Sequence, residues 1–293
     1  MAVVPRARAS SLPPCVLSLS LSMSMHPSLP SKPRTRTFYP PLLPSRQINS
    51  ETDFAARNEA FTSLVSAAAV AALAAPSPCP AGGEVASETL GALPTPSSST
   101  LAAAVAAVAG GVRENIVLRR GARLDAPPGG VLGSYIHSAA GPGGAGRMAA
   151  LVALGPAAGS PSSAPLPASA ADLAARLAMH VVAARPLALD RASVPVALVE
   201  AERAVLAAQA AASGKPAGVA AKMVEGRLGK WFEGAALSDQ AFVMDDSQRV
   251  GAVVAEAGLV LTGFVRLQVG EGLEAKAGGD FAAEVAETLK AAG

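Results

Sequence analysis

Residues 54–75 read F-A-A-R-N-E-A-F-T-S-L-V-S-A-A-A-V-A-A-L-A-A, and Phe54, Phe61, Leu64 and Val65 recur at helical spacing. This predicts one helix, with Thr52 or Asp53 as its cap. A Pro/Ser/Gly-rich stretch at 76–100 predicts a mobile loop, followed by a short Ala-rich helix at 101–109 and a strand at 114–120. The runs at 131–138 and 147–154 are of β type and are joined by G-P-G-G-A-G, the pattern of a hairpin with a loose loop. After a low-complexity stretch at 155–168, Leu173, Leu177, His180, Val181 and Ala184 form a helical stripe. Ser169 and Asp172 offer a capping box at its start, and Pro186 marks its end. Two further stripes flank S-G-K-P (213–216): Leu198, Ala201, Val205, Ala208 and Ala212, then Ala220, Val224, Leu228, Trp231 and Ala235. They predict an antiparallel helical hairpin at about 195–236. The chain closes with an alternating strand at 263–270 and a short amphipathic helix at 280–292. Separate helices and hairpin strands together give an α+β class.

Composition changes this picture at the front of the chain. Half the residues are apolar, but much of that is alanine and only 3% are aromatic, so thin layers of Leu, Val and Met must fill the core. The formal charge of +2 hides an asymmetry: six of the 24 basic residues and none of the 22 acids lie in residues 1–50. The remainder holds 18 basic against 22 acidic residues, a net of −4, which argues against a nucleic-acid binder. An Arg/Ser/Pro-rich, acid-free leader over 1–46 has the composition of an organellar transit peptide, expected to be disordered. No run of 18 apolar residues exists, so no membrane helix is expected. Cys15 and Cys79 match no metal or redox spacing.

Candidate chemistry is sparse. G-P-G-G-A-G (141–146) fits the dinucleotide pattern G-x-G-x-x-G, but a strand follows it where a Rossmann helix must start, so a hairpin loop is the better reading. S-G-K-P lacks the upstream glycine and the Ser or Thr of a phosphate loop. His180 sits on an apolar stripe and reads as a hydrogen-bonded core histidine. His137 ends a strand beside the glycine loop, where a surface role and a functional role stay equally open. Asp53 and Phe54 likewise have two readings, a helix start with its first core residue or a pair aimed outside the protein. Nucleophile, base and oxyanion donors do not assemble, so no enzyme, cofactor or metal site is expected.

Taken in order, T-D-F-A-A-R-N (52–58), E-N-I-V-L-R-R, V-L-G-S-Y-I-H, L-A-M-H-V-V-A-A-R-P, S-G-K-P, K-M-V-E-G-R-L, Q-A-F-V-M-D-D-S, T-G-F-V-R-L-Q-V-G-E-G-L-E and D-F-A-A-E-V-A resemble elongation factor Ts. The resemblance covers 48–292 apart from the low-complexity loops. It implies two small α/β subdomains, 47–154 and 169–279, with the helical hairpin protruding and a C-terminal helix at 280–293. It implies no bond chemistry but guanine-nucleotide exchange on elongation factor Tu, in an organelle, mitochondrial rather than chloroplast. By motif position Asp53 and Phe54 enter the partner's G domain near its magnesium, with His137 in the same interface. Val112 and Arg113 correspond to the stretch approaching the partner's phosphate loop, and Val243 and Met244 to a contact with a second domain. The family pattern begins with a three-helix ubiquitin-associated-like module and a first core strand. Here the leader stands in the module's place and only Q-I-N (47–49) matches that strand, so the alternative expectation is a binder of elongation factor Tu without full exchange activity.

Overall fold

Serine at every second place in V-L-S-L-S and an extended stretch ending in Q-I-N-S begin the element order, as strands β1 (Val16–Ser20) and β2 (Leu42–Ser50). Then come helices α1 (Asp53–Arg57) and α2 (Glu59–Ala74), strand β3 (Glu84–Ala86), helices α3 (Ser87–Gly91) and α4 (Leu101–Val112), and strands β4 (Ile116–Asp125), β5 (Val131–His137), β6 (Ala145–Gly146) and β7 (Met148–Pro156). Helices α5 (Ala170–Ala184), α6 (Val196–Ala212) and α7 (Ala217–Ala235) follow, then a 3-10 turn at Leu237–Asp239, strands β8 (Ala241–Phe242) and β9 (Asp245–Arg249), helix α8 (Val250–Glu256) and strand β10 (Leu259–Gln268). This computed structural model describes residues 16–20, 42–50, 53–74, 84–138, 145–157, 166–268 and 271. The helix expected at 280–292 and residues 141–144 of the glycine loop lie outside the described residues.

Among the described residues the strands form three antiparallel sheets, in the orders β3-β4-β2-β1-β6, β10-β7-β5 and β8-β9. The first corrects the reading of the leader: Val16–Ser20 and Leu42–Ser50 pair along five residues, so part of the stretch expected to be disordered is a central strand. Alternation is the physical reason, since period-two patterning suits a strand whatever its net charge. It also corrects the expectation that only Q-I-N remained of the first core strand, because β2 runs nine residues and pairs with β4 throughout. The second sheet joins β10 to the β5–β7 hairpin, so the division expected at 154/169 is not where the sheets divide. Strand β7 is the reason. It is buried on both faces, with Ala150, Val152 and Leu154 packed with α5, and Leu151 and Ala153 packed with Ala122 and Leu124 of β4. Such a strand needs partners on both edges and layers on both sides. Glu271 adds an ionic tie between the two sheets, 2.8 Å from Arg266 of β10 and 3.5 Å from Arg120 of β4.

Local chemistry explains several departures from the expected helices. A single helix at 54–75 is interrupted at Asn58, whose Oδ1 accepts the Ala60 N–H at 2.8 Å and caps α2. Within the stretch expected as a loop at 76–100, β3 pairs with β4 and α3 buries Leu90. No capping box forms at Ser169, which is itself αR and makes no side-chain bond to the helix; Asp172 pairs instead with Arg176 at 3.6 Å. The hairpin arms form as expected, but the α6 seam is rotated. Leu206 and Ala210 face Val224 and Leu228, while Leu198 and Val205 are exposed. Alanine on every side of α6 leaves several apolar stripes nearly equivalent, and the one with the bulkiest residue opposite Val224 and Leu228 wins. At the end of α4, Arg113 is left-handed (φ 57°, ψ 36°), the position where helices favour glycine. Arg113→Gly is therefore expected to raise stability by about 0.5–1 kcal/mol, read as a higher urea midpoint with an unchanged slope.

Candidate functional site

Phe54 and Phe61 are seven residues apart, a spacing that would place both on one face of a continuous helix. The break at Asn58 separates them: Phe61 is fully buried, whereas Phe54 is 87% exposed. Helix α1 is held by Ala55 and Ala56, both buried, so the phenylalanine stands out from a short, anchored turn. Asp53 supplies the first residue of that turn. Behind it, β2 buries Ile48 in the same core as Phe61, Leu64 and Val65 of α2. An aromatic ring left in water forgoes about 1.5–3 kcal/mol of burial, and nothing in the packing of α1 requires one here.

Val112 ends α4 and is half-buried against that core, so only the exposed Arg113 beside it projects from the turn. His137 ends β5 and is exposed, with its Nδ1 hydrogen-bonded to Tyr135 Oη at 3.2 Å. Its carbonyl accepts the Arg147 N–H at 3.0 Å. Gly146, the last glycine of G-P-G-G-A-G, lies under this strand end. A Cβ there would come within 2.6 Å of the His137 oxygen, so close packing requires the glycine.

Val243 and Met244 form the two-residue turn between β8 and β9 and are 52% and 41% exposed. The turn is anchored from behind. Phe242 is buried beside the His180 ring, 5.9 Å between centroids, and Arg176 stacks over the Phe242 ring at 5.6 Å. His180 is fully buried, as its place on the stripe predicted; its Nε2 lies 2.9 Å from Gln240 Oε1 and its Nδ1 accepts the Val243 N–H at 3.2 Å. Burial holds this imidazole below the usual histidine range, and the Gln240 bond offsets part of that effect. Gln240 escaped notice in the sequence because its partner lies 60 residues away. The only signal was its position in Q-A-F-V-M-D-D-S, just ahead of the turn.

Phe54 on α1, Arg113 after α4, His137 at the end of β5 and the Val243–Met244 turn thus protrude beside buried residues. Among the described residues, no group of three His, Cys, Asp or Glu side chains could hold a metal ion, and no helix is long and apolar enough to cross a membrane. The surface offers exposed apolar contacts on anchored backbone, which is the character of a protein-binding site.

A family model described as Elongation factor TS matches residues 51–271. Elongation factor Ts of Gluconobacter oxydans (strain 621H) is 43% identical over 240 residues, covering 82% of this chain and 74% of its own. That of Rhodospirillum rubrum is 40% identical over 250 residues, covering 83% and 76%. The mitochondrial elongation factor Ts of Ostreococcus tauri is 39% identical over 258 residues, covering 83% and 72%. Similarity of this extent, running from α1 through β10 and including the helical hairpin, makes the chain a member of the elongation factor Ts family.

Proposed function

We propose that the chain expels GDP from the elongation factor Tu of an organelle, and that Asp53 and Phe54 form the wedge that does so. Family membership supports the coarser statement on its own: the chain is a nucleotide exchange factor for elongation factor Tu in translation elongation, not an enzyme that makes or breaks bonds. The observation that carries the finer reading is Phe54, a phenylalanine 87% exposed beside the buried Ala55 and Ala56. Its insertion between elements of a G domain exchanges water for an apolar slot and involves no rearrangement of its own support. Exchange requires a wedge-bound state that holds nucleotide less tightly, and by reciprocity nucleotide weakens the factor's binding equally. Arg113, with Val112 beneath it, and His137 extend the contact along the G domain. Val243 and Met244 meet a second domain of the partner, so the grip is two-sided.

The organelle is inferred to be the mitochondrion, supported by the acid-free basic N-terminal stretch and by similarity to the Ostreococcus tauri mitochondrial protein. Release of fluorescent GDP from mitochondrial and chloroplast elongation factor Tu, each with and without the chain, tests the proposal. Accelerated release is expected, and more of it with the mitochondrial partner. Binding without acceleration would instead establish the non-exchanging binder.

A further inference from the structure

We propose that His180 is the positioning residue for the Val243–Met244 turn: Gln240 holds its neutral imidazole in one tautomer, whose bare Nδ1 captures the Val243 N–H and fixes how the turn is presented. The inference rests on the reading of Val243 and Met244 as contacts to elongation factor Tu.

The hydrogen-bond directions follow from satisfiability. Gln240 Nε2 lies 2.6 Å from the Gly234 carbonyl and 3.3 Å from the Ala184 carbonyl. Both of those groups only accept, so this end of the side chain is the amide NH2. Its Oε1 therefore faces His180 Nε2 at 2.9 Å and must accept a hydrogen bond from an Nε2–H. A neutral imidazole protonated at Nε2 leaves Nδ1 as an acceptor, and the backbone N–H of Val243 stands 3.2 Å away. The chain of donors thus runs from Val243 through His180 and Gln240 to two carbonyls, with one role for each atom.

Those carbonyls belong to the last turns of α5 and α7, where helix C=O groups lack intrahelical partners. The network therefore ties the turn to the end of α5 and the root of the helical hairpin. The turn has few other restraints. Strand β9 is exposed along its whole length, and pairing between β8 and β9 shifts register between Ala241 and Phe242. The Phe242–Asp245 ladder pair closes the turn and Phe242 is buried, and the His180 bond is the side-chain contact that orients the backbone at Val243. A leucine or phenylalanine would fill the same space without the desolvation that a buried imidazole entails. A packing role alone therefore does not account for histidine.

Two substitutions in the full chain separate positioning from packing. His180→Asn keeps an acceptor as many bonds from Cβ as Nδ1 and loses the donor toward Gln240. His180→Gln keeps a donor at the place of Nε2 and loses the acceptor for Val243. Affinity for elongation factor Tu is expected to fall roughly three- to tenfold in His180→Gln and to stay near the parent value in His180→Asn. A packing role predicts the reverse order, because asparagine leaves the larger cavity, so that result would overturn the proposal. In a Met244→Ala background the His180→Gln effect should shrink, and full additivity would also overturn it. If Met244→Ala and Val243→Ala leave affinity unchanged, the contact reading itself fails and takes the inference with it. Should both His180 variants unfold, imidazole nitrogen shifts of the unsubstituted protein decide: protonation at Nε2 is expected, and protonation at Nδ1 refutes the assignment.

Discussion

Phe54→Ala is expected to cut stimulated GDP release by roughly 30- to 150-fold at a fixed, sub-saturating concentration of factor, the equivalent of about 2–3 kcal/mol at an aromatic hot spot. The same substitution should leave folding stability within about 0.5 kcal/mol, as for other exposed positions. Both halves follow from one observation: the ring is 87% exposed, so the free protein has little to lose when it is removed. Whatever Phe54 contributes, it contributes in the complex. Asp53→Ala belongs in the same experiment, because a wedge of two residues predicts a second loss at the neighbouring position. The measurement pairs urea unfolding with fluorescent-GDP release from the same preparations. A variant that unfolds more easily yet exchanges normally per folded molecule would make Phe54 a core residue and overturn the wedge.

This asymmetry between Phe54 and Phe61 shows what periodicity could and could not reveal. Their spacing of seven suggested one apolar face, and the motif T-D-F-A-A-R-N alone pointed outward. The deciding atom is Asn58 Oδ1, which satisfies the Ala60 N–H and lets a second helix begin. Side-chain capping competes locally with helix continuation, and a periodicity count does not see it. The β5–β7 hairpin and the α7 seam were legible because each rests on short-range patterning with distinct residue sizes. The α6 seam was not, since alanine fills several faces of that helix and only contact with Val224 and Leu228 selects Leu206. Pairing of β10 with β7 and of β1 with β2 depends on contacts distant in sequence, so the sheet composition lay beyond local reading. Among the proposed contacts, motif position identified the Val243–Met244 turn. Its anchoring by His180 and Gln240 required the fold, because the two side chains come from different elements.

Gly133→Ala is expected to destabilise the protein by about 3 kcal/mol or more, at or above the upper end for overpacking a well-filled interior. A Cβ at Gly133 would stand 2.1 Å from the Ala174 carbonyl carbon, 2.3 Å from its oxygen and 2.4 Å from the Ala175 nitrogen. All three are backbone atoms of α5, so no side chain can rotate away. The added methyl is relieved only if the whole helix lifts from the sheet. That face carries Leu173, Ala174, Leu177 and Val181 against Ala150, Val152 and Leu154 of β7, so lifting opens the packing along several turns. Stabilities of ordinary domains are about 5–15 kcal/mol, which makes a loss of this size a large fraction of the total. Gly110→Ala is the matched control: Gly110 lies in α4 with nothing within 4 Å of its added Cβ, so alanine there should stabilise by about 0.5–1 kcal/mol. Urea midpoints moving in opposite directions for the two substitutions would support the close approach of α5 to β5, and a neutral Gly133→Ala would refute it. The functional consequence follows from what the two elements carry. Strand β5 ends in His137 and α5 holds His180 behind the Val243–Met244 turn, so separating them should weaken both arms of the proposed grip at once, whereas Phe54→Ala disables one arm in a protein that stays folded.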